Sequence, residues 1–454
     1  MLFHSAPFLV FFAVFLLLFV RLAPAHRIWA TLIASYVFYG WWNPLYLFLL
    51  AGFSIAAFVA APRVGRLPKP GFALVILLAL VPLVFFKYAH FIWENVPWVR
   101  VLHPVEPVRH ALPLGISFIT FTVLAYLVDV RKGVYRTRET FERVALYISF
   151  FPHLIAGPIM RPRELFPQFA HLRINPKLAK IGVLLFAVGL VKKTIFADTL
   201  SRVVDAAYRQ DAAVSWLDSA LAVYGFAVQV YCDFSGYVDM ALGLAFILGV
   251  RLPLNFNRPY LAVSIRDFWK RWHMTLSRWL KDYLYIPLGG NRKGPARTYL
   301  NLMATMLIGG LWHGAAWTFV IWGGYHGVLL AAEHALERVW KNGFRIPAPV
   351  RIFVTLHLVV ISWVFFRARD LGQARRILSG FFSGIPPADT AYAVFPLLLI
   401  ALFFVLHRFD RVSLVCWFAK RFGALPVYGL ALSLLVVGLS LSVGNANAFI
   451  YFDF

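Results

Sequence analysis

The sequence predicts an all-α, polytopic membrane protein, and three observations carry that prediction. The chain of 454 residues is 61% hydrophobic and 14% charged, whereas a soluble domain is roughly 45–50% apolar and about 25% charged. Its mean hydropathy is +0.73. Long apolar runs recur, among them Pro7–Val20, Phe72–Phe86, Ile181–Val191 and Ala391–Val405, and runs approaching ~20 residues have the length of a membrane-spanning helix. Taken in order they give about eleven spans, with short re-entrant or interfacial pieces between them.

The first run resembles the apolar part of a signal peptide, with Ala23-Pro24-Ala25 behind it. Met1–Pro7 carries no Lys or Arg, so the positive leader region is missing and an uncleaved first helix is expected. Basic loops then punctuate the apolar runs at Arg63–Lys69, Arg131–Arg143, Arg161–Lys180, Arg251–Arg297, Arg367–Arg376 and Arg408–Arg421. Ser379–Asp389, with Pro386-Pro387, reads as an exposed loop. No fixed-period repeat, low-complexity tract or linker appears, so residues 1–454 are expected to form one membrane domain.

The net charge is +24. Nucleic-acid binding is the wrong inference in this setting, because basic residues of membrane proteins collect in cytoplasmic loops and fix orientation. They also favour anionic lipid heads. Cys232 and Cys416 show neither metal-ligand spacing nor a disulfide framework. A P-loop, a GxSxG elbow and a zinc HExxH are absent.

One segment is amphipathic rather than spanning. In Ile265–Tyr283, Ile265, Phe268, Trp269, Trp272, Leu276 and Trp279 share an arc of roughly 120° at helical spacing, opposite Arg266, Lys270, Arg271 and Arg278. A helix with tryptophans on one face and bases on the other lies in the interface or packs under the bundle. His273 stands at the edge of the apolar arc, where its ring can point inward. The four bases belong to Arg251–Arg297, which holds ten basic residues against two acids. Such a patch suits the phosphates of a nucleotide-like donor, and the positive-inside bias accounts for it equally well.

The densest signal is Leu307–Leu330, "LIGGLWHGAAWTFVIWGGYHGVLL". It holds two GxxxG segments, Gly310 to Gly314 and Gly323 to Gly327, each with a histidine before its second glycine. Small residues at this spacing let helices approach closely, which places His313 and His326 in a tight interior. An ionisable residue in a span is a functional candidate by default, and histidine is the natural general base. The bland alternative is an imidazole hydrogen-bonded to a carbonyl across a helix pair. In Val230–Gly243, Tyr231, Ser235 and Asp239 share one helix face, while Gln229 and Asp233 form a second pair. Buried carboxylates there require arginine partners or a polar cavity, and structural ion pairing explains them as well as catalysis does.

Together, "RDFWKRWHMTLSRWLKDYLYIPLGG", "LWHGAAWTF", "YCDFSGYVDMALG" and "FPHLIAGPIMRP" resemble the membrane-bound O-acyltransferase family, over a core from about 114 to 330. Their order agrees with the family's, and they are most similar to bacterial members that acetylate exported glycans such as alginate, cellulose or peptidoglycan. The subunit that passes D-alanine to teichoic acids is also similar. The resemblance implies a ring of helices around a central tunnel in a bacterial inner membrane. A cytosolic acyl thioester, acetyl-CoA or another, would enter as donor substrate with no tightly bound cofactor, and a polysaccharide acceptor would approach from the other side.

The family's membrane histidine falls on His313 and its second position on His273. His313 is then the candidate base for an acceptor hydroxyl. His273 would orient the thioester or stabilise the oxyanion, and Arg266, Lys270, Arg271 and Arg278 would meet the donor's phosphates. The last residues, "FIYFDF", begin at Phe449 in an aromatic tail spanning 445–454. The simple reading is a hydrophobic plug. The resemblance implies that Tyr451 relays the acyl group to a periplasmic SGNH-hydrolase-like partner, with 444–446 as hinge; Asp453 stands where the family ending often has an amide. D-alanyl transfer, or a transporter or flippase without chemistry, are the alternatives.

Overall fold

The computed structural model describes residues 1–107, 111–136, 138–210, 212–339, 346–387 and 390–442, together with Ile450. The structure is 75% helical, with no strand among the described residues. Tyr46–Val64, Lys69–Asn95, Trp216–Ile247, Ala348–Arg367 and Ala424–Ser442 are each long and apolar enough to cross a membrane, and Ala391–His407 with Val412–Arg421, bent by 69°, is a broken span or a re-entrant loop. Among the described residues five helices, or six if the bent pair is one span, meet that length and apolarity, beside an expected total of about eleven that includes shorter pieces. The runs behind Ala6–Arg21, Ile116–Arg131 and Pro176–Val191 fold into helices of 16 residues. At 1.5 Å per residue these are ~24 Å long, short of a hydrocarbon core of about 30 Å.

Local chemistry fixes where these helices begin. Pro176 follows Asn175, whose side chain accepts the backbone N–H of Lys177, so the first turn is satisfied by a capping oxygen and a residue that needs no donor. Ser215 caps Trp216–Ile247 and Ser264 caps Ile265–Trp269 in the same way.

Trp216–Ile247 is the axis of the molecule. Its 32 residues are almost all buried, the pattern of a helix packed on every side. Its C-terminal half joins an apolar cluster built with the first third of the chain, and its N-terminal half joins a second cluster built with 196–208 and 359–403. Glycines bring it against Pro176–Val191: a Cβ added at Gly189 would stand 2.5 Å from the Gly236 carbonyl oxygen, and one at Gly182 equally close to that of Gly243.

At 192–197 the neighbouring helix widens into a π-turn, and this turn delivers two consecutive lysines to different partners. Lys192 Nζ lies 2.6 Å from both Asp239 and Asp410, while Lys193 Nζ lies 2.9 Å from Asp198 and 2.7 Å from Asp233. The sequence expectation of arginine partners for the buried carboxylates is thereby corrected to lysines. The two predicted helix faces do separate: Tyr231, Ser235 and Asp239 line one cleft, whereas Gln229 and Asp233 line a cavity of about 400 Å³ on another side.

Candidate active site

His273 is placed by a break rather than by a helix. The expected continuous helix over Ile265–Tyr283 is two helices, Ile265–Trp269 and Met274–Leu280, followed by a wide turn at Lys281–Tyr285. The break occurs because His273 itself adopts a left-handed conformation, φ 42°, which costs a non-glycine residue about 1–2 kcal/mol. Asn255 offsets that cost. Its backbone carbonyl accepts Met274 N–H at 2.9 Å, and its side-chain Oδ1 accepts the N–H of Thr275 at 3.1 Å and the hydroxyl of Thr275 at 2.8 Å. The first turn of Met274–Leu280 is thus capped from a distant segment. The amphipathic pattern survives the break: Phe268, Trp272 and Leu276 are buried while Lys270 stays exposed.

The His273 ring is wholly buried. Its Nδ1 lies 3.2 Å from Asn255 Oδ1; Phe118 stacks on the ring at 6.2 Å, and Phe234 at 4.8 Å and Trp312 at 6.1 Å meet it in T-shaped contacts, all between ring centroids. Thr275 ties the site to the loop Phe151–Pro162 as well, since its hydroxyl oxygen accepts Ile159 N–H at 3.0 Å.

His313 is reached differently. It is the last residue of the helix Pro295–His313, and the glycines before it do what the sequence predicts. A Cβ at Gly310 would come 2.3 Å from the Phe319 carbonyl oxygen, and one at Gly323 equally close to that of Met306. The helices Pro295–His313 and Trp317–Val339 therefore touch along their backbones. The His313 imidazole is buried in an aromatic box, 4.9 Å from Trp312 and 5.1 Å from both Trp322 and Phe366. Trp312 thus packs against both candidate histidines.

From behind, Lys87 Nζ donates to the carbonyls of Trp312 and His313, both at 2.8 Å, and the Tyr88 hydroxyl donates to that of Leu311 at 2.7 Å. An amine and a phenol satisfy the last carbonyls of the helix. Lys87 and Asn255 are the residues that sequence reasoning missed. Lys87 had a usable signal, as a lone charge between Phe86 and Tyr88 at the end of an apolar run. Asn255 had none, because its partner lies eighteen residues away across a turn.

The remaining candidates divide. His326 takes up the bland alternative in a different form, its buried Nε2 lying 3.0 Å from Ser362 Oγ, not from a carbonyl, on a neighbouring helix. Of the four proposed phosphate contacts, three already hold acids. Arg266 pairs with Glu337 at 2.9 Å, Arg271 with Asp267 at 2.9 Å, and Arg278 with Glu164 at 2.8 Å. Partial burial pushes the Asp267 carboxyl up, but hydrogen bonds from Arg271 and Val263 N–H carry it below the usual carboxylate range. Lys270 is exposed. Tyr451 and the hinge at 444–446 lie outside the described residues. Ile450, next to Tyr451 in the chain, is buried and donates its N–H to Asp233 Oδ2 at 2.7 Å. It lines the 400 Å³ cavity with Thr318 and Phe319.

These motifs have counterparts in known proteins. The profile of the membrane-bound O-acyltransferase family matches residues 115–367. The chain is 40% identical over 393 residues to a probable alginate O-acetylase of Pseudomonas aeruginosa, covering 84% of this chain and 75% of that one. It is 38% identical over 387 residues to a peptidoglycan O-acetyltransferase of Helicobacter pylori, covering 78% and 73%. A teichoic acid D-alanyltransferase of Bacillus subtilis is 26% identical over 310 residues, covering 65% and 77%. A multi-pass bundle of apolar helices, with the matched segment containing both buried histidines, makes this chain a member of the membrane-bound O-acyltransferase family and an O-acyltransferase.

Proposed function

We propose that the protein moves an acetyl group from a cytosolic thioester, acetyl-CoA, to an exported or cell-wall polysaccharide. The observation that carries the reading is the pair of buried imidazoles, His273 and His313, packed on the shared Trp312 where the chain's motifs converge. An alcohol attacks a thioester well only when a base takes its proton. His313 takes that proton, the C–O bond forms, the C–S bond breaks, and the thiolate leaves as the thiol with the proton returned by the imidazolium. The aromatic box around His313 keeps hydrolytic water away from the reacting carbonyl.

The setting is a bacterial inner membrane, and the product is handed to a periplasmic SGNH-hydrolase-like partner. Tyr451 serves as the relay, because a phenol ester passes an acyl group on more readily than an alkyl ester does. Alginate and peptidoglycan, the substrates in the relatives' names, define the acceptor class, and the D-alanyltransferase relative makes D-alanine the donor group to test beside acetate.

The test is release of free coenzyme A, and acetyl incorporation into glycan, by membranes carrying wild-type or His313→Ala protein. The variant is expected to insert normally and to lose about 10²–10⁴-fold in transfer. Wild-type acetylation by the variant would overturn the assignment of His313.

A further inference from the structure

Resting on that acyl-transfer reading, we infer that Asn255 is a positioning residue that fixes the tautomer of His273, leaving Nε2 as a hydrogen-bond acceptor. A neutral His273 with a bare Nε2 cannot donate to an oxyanion, so of the two roles expected for it this proposal keeps the orienting of the substrate.

The hydrogen bonds fix the direction of each proton. A backbone N–H can only donate, so the atom of Asn255 facing Thr275 N is the oxygen, and the side-chain amide cannot be turned around. The Thr275 hydroxyl oxygen accepts Ile159 N–H and therefore spends its own proton on the same Asn255 Oδ1. That oxygen has only lone pairs to offer His273 Nδ1. A neutral imidazole carries one N–H, so Nδ1 holds the proton and Nε2 presents a bare lone pair.

Two atoms are then left over. His273 Nε2 and Asn255 Nδ2 are both buried, and neither has a hydrogen-bond partner among the described residues. A buried donor or acceptor left unmade costs about 1–3 kcal/mol, and such groups are rare in native structures. Here one acceptor and one donor stand on side chains that are bonded to each other. The bare Nε2 takes an N–H or O–H of the bound substrate and so orients it, while His313 removes the proton of the attacking hydroxyl.

The left-handed backbone at His273 agrees with this reading, since strain of this kind is stored where geometry matters. The charged and titratable groups around the pair are few. His313 lies across Trp312, with Lys87 behind its carbonyl. On the far side of Asn255, Lys192, Tyr231, Asp239 and Asp410 line the same cleft as Asn255.

The test replaces Asn255 by aspartate in the full-length protein. A carboxylate accepts from Thr275 and from His273 Nδ1–H as the amide oxygen does, so Met274–Leu280 stays capped. The new negative charge stabilises the imidazolium, and an opposite charge at this range shifts a pKa by about 1–3 units. If His273 must be neutral to work, the acidic limb of kcat against pH moves upward by that amount, because the ring protonates at a higher pH. An unmoved limb would make Asn255 a helix cap only and overturn the proposal.

A second measurement does not depend on turnover. In wild-type protein labelled with 15N-histidine, the signals that vanish in His273→Gln should show a protonated Nδ1 and an unprotonated Nε2. The reverse tautomer would sink the idea. Should wild-type protein release coenzyme A from no acyl donor, the acyl-transfer reading fails while the tautomer assignment is still decided by the spectrum.

Discussion

The two imidazoles that meet Trp312 are held by opposite means. His273 is fixed through its side chain, by one amide oxygen that also caps the following helix, and its backbone is strained to let that happen. His313 is fixed through its backbone, as the end residue of a helix whose final carbonyls are clamped by Lys87, and its ring meets aromatic faces. The contrast shows two ways to place a polar ring inside an apolar bundle. One spends a polar network and dictates which nitrogen carries the proton. The other spends a distant amine and dictates where the ring sits.

That contrast can be broken first at Lys87. In Lys87→Met a side chain of similar length keeps the packing but removes the donors to two carbonyls. Because a misplacement of ~1 Å can cost about 10²-fold in rate, transfer should fall by about that factor. The tautomer of His273, held by separate atoms, should be untouched. An unchanged rate in membranes would show that His313 needs no clamp.

A smaller effect is expected at Gly323, where an added Cβ would stand 2.3 Å from the Met306 carbonyl oxygen. Overpacking of this kind typically costs about 1–3 kcal/mol, so Gly323→Ala should lower the melting temperature of the purified protein. If it melts like wild type, the backbone contact between the two helices does not locate His313.

The two halves were also unequally legible in the sequence. The His313 half could be read in advance, because glycines at helical spacing and a histidine within an apolar run are local signals, and the structure turns both into backbone contact. The same local logic separated the faces of Val230–Gly243, where Asp239 and Asp233 do turn to different sides. It failed on the helix through His273. An apolar arc persists across a kink, so periodicity hides a residue with positive φ, and the kink depends on Asn255, a partner the pattern does not contain. It failed again on the carboxylates' partners, because Lys192 and Lys193 reach them only through a π-turn that has no clear periodic signature. The number of spans was not legible for a third reason: apolarity marks what is buried, and some apolar runs fold into helices of only 16 residues.

The finest point of the comparison concerns charge on the His273 side. The basic face of this segment reads as a donor site only while its charges remain available, and most of them are committed. Arg266 answers Glu337 and Glu333, Arg271 answers Asp267, and Arg278 answers Glu164. These pairs dock the segment against its neighbours, so removing one of those arginines mixes docking with donor binding. Lys270 is exposed and adds only a longer-range attraction to Asp267, with no ion-pair contact to an acid among the described residues, so it comes nearest to isolating the electrostatic contribution. An exposed ion pair contributes about 0.2–1 kcal/mol, so Lys270→Gln should raise KM for acetyl-CoA by about two- to fivefold and leave kcat unchanged, the mark of binding lost equally in ground and transition states. The effect should fade with added salt, because exposed charges are screened within about 10 Å at 0.1 M. A KM that ignores both the substitution and the salt would leave this basic face as an orientation signal and a dock, with the donor's phosphates held elsewhere.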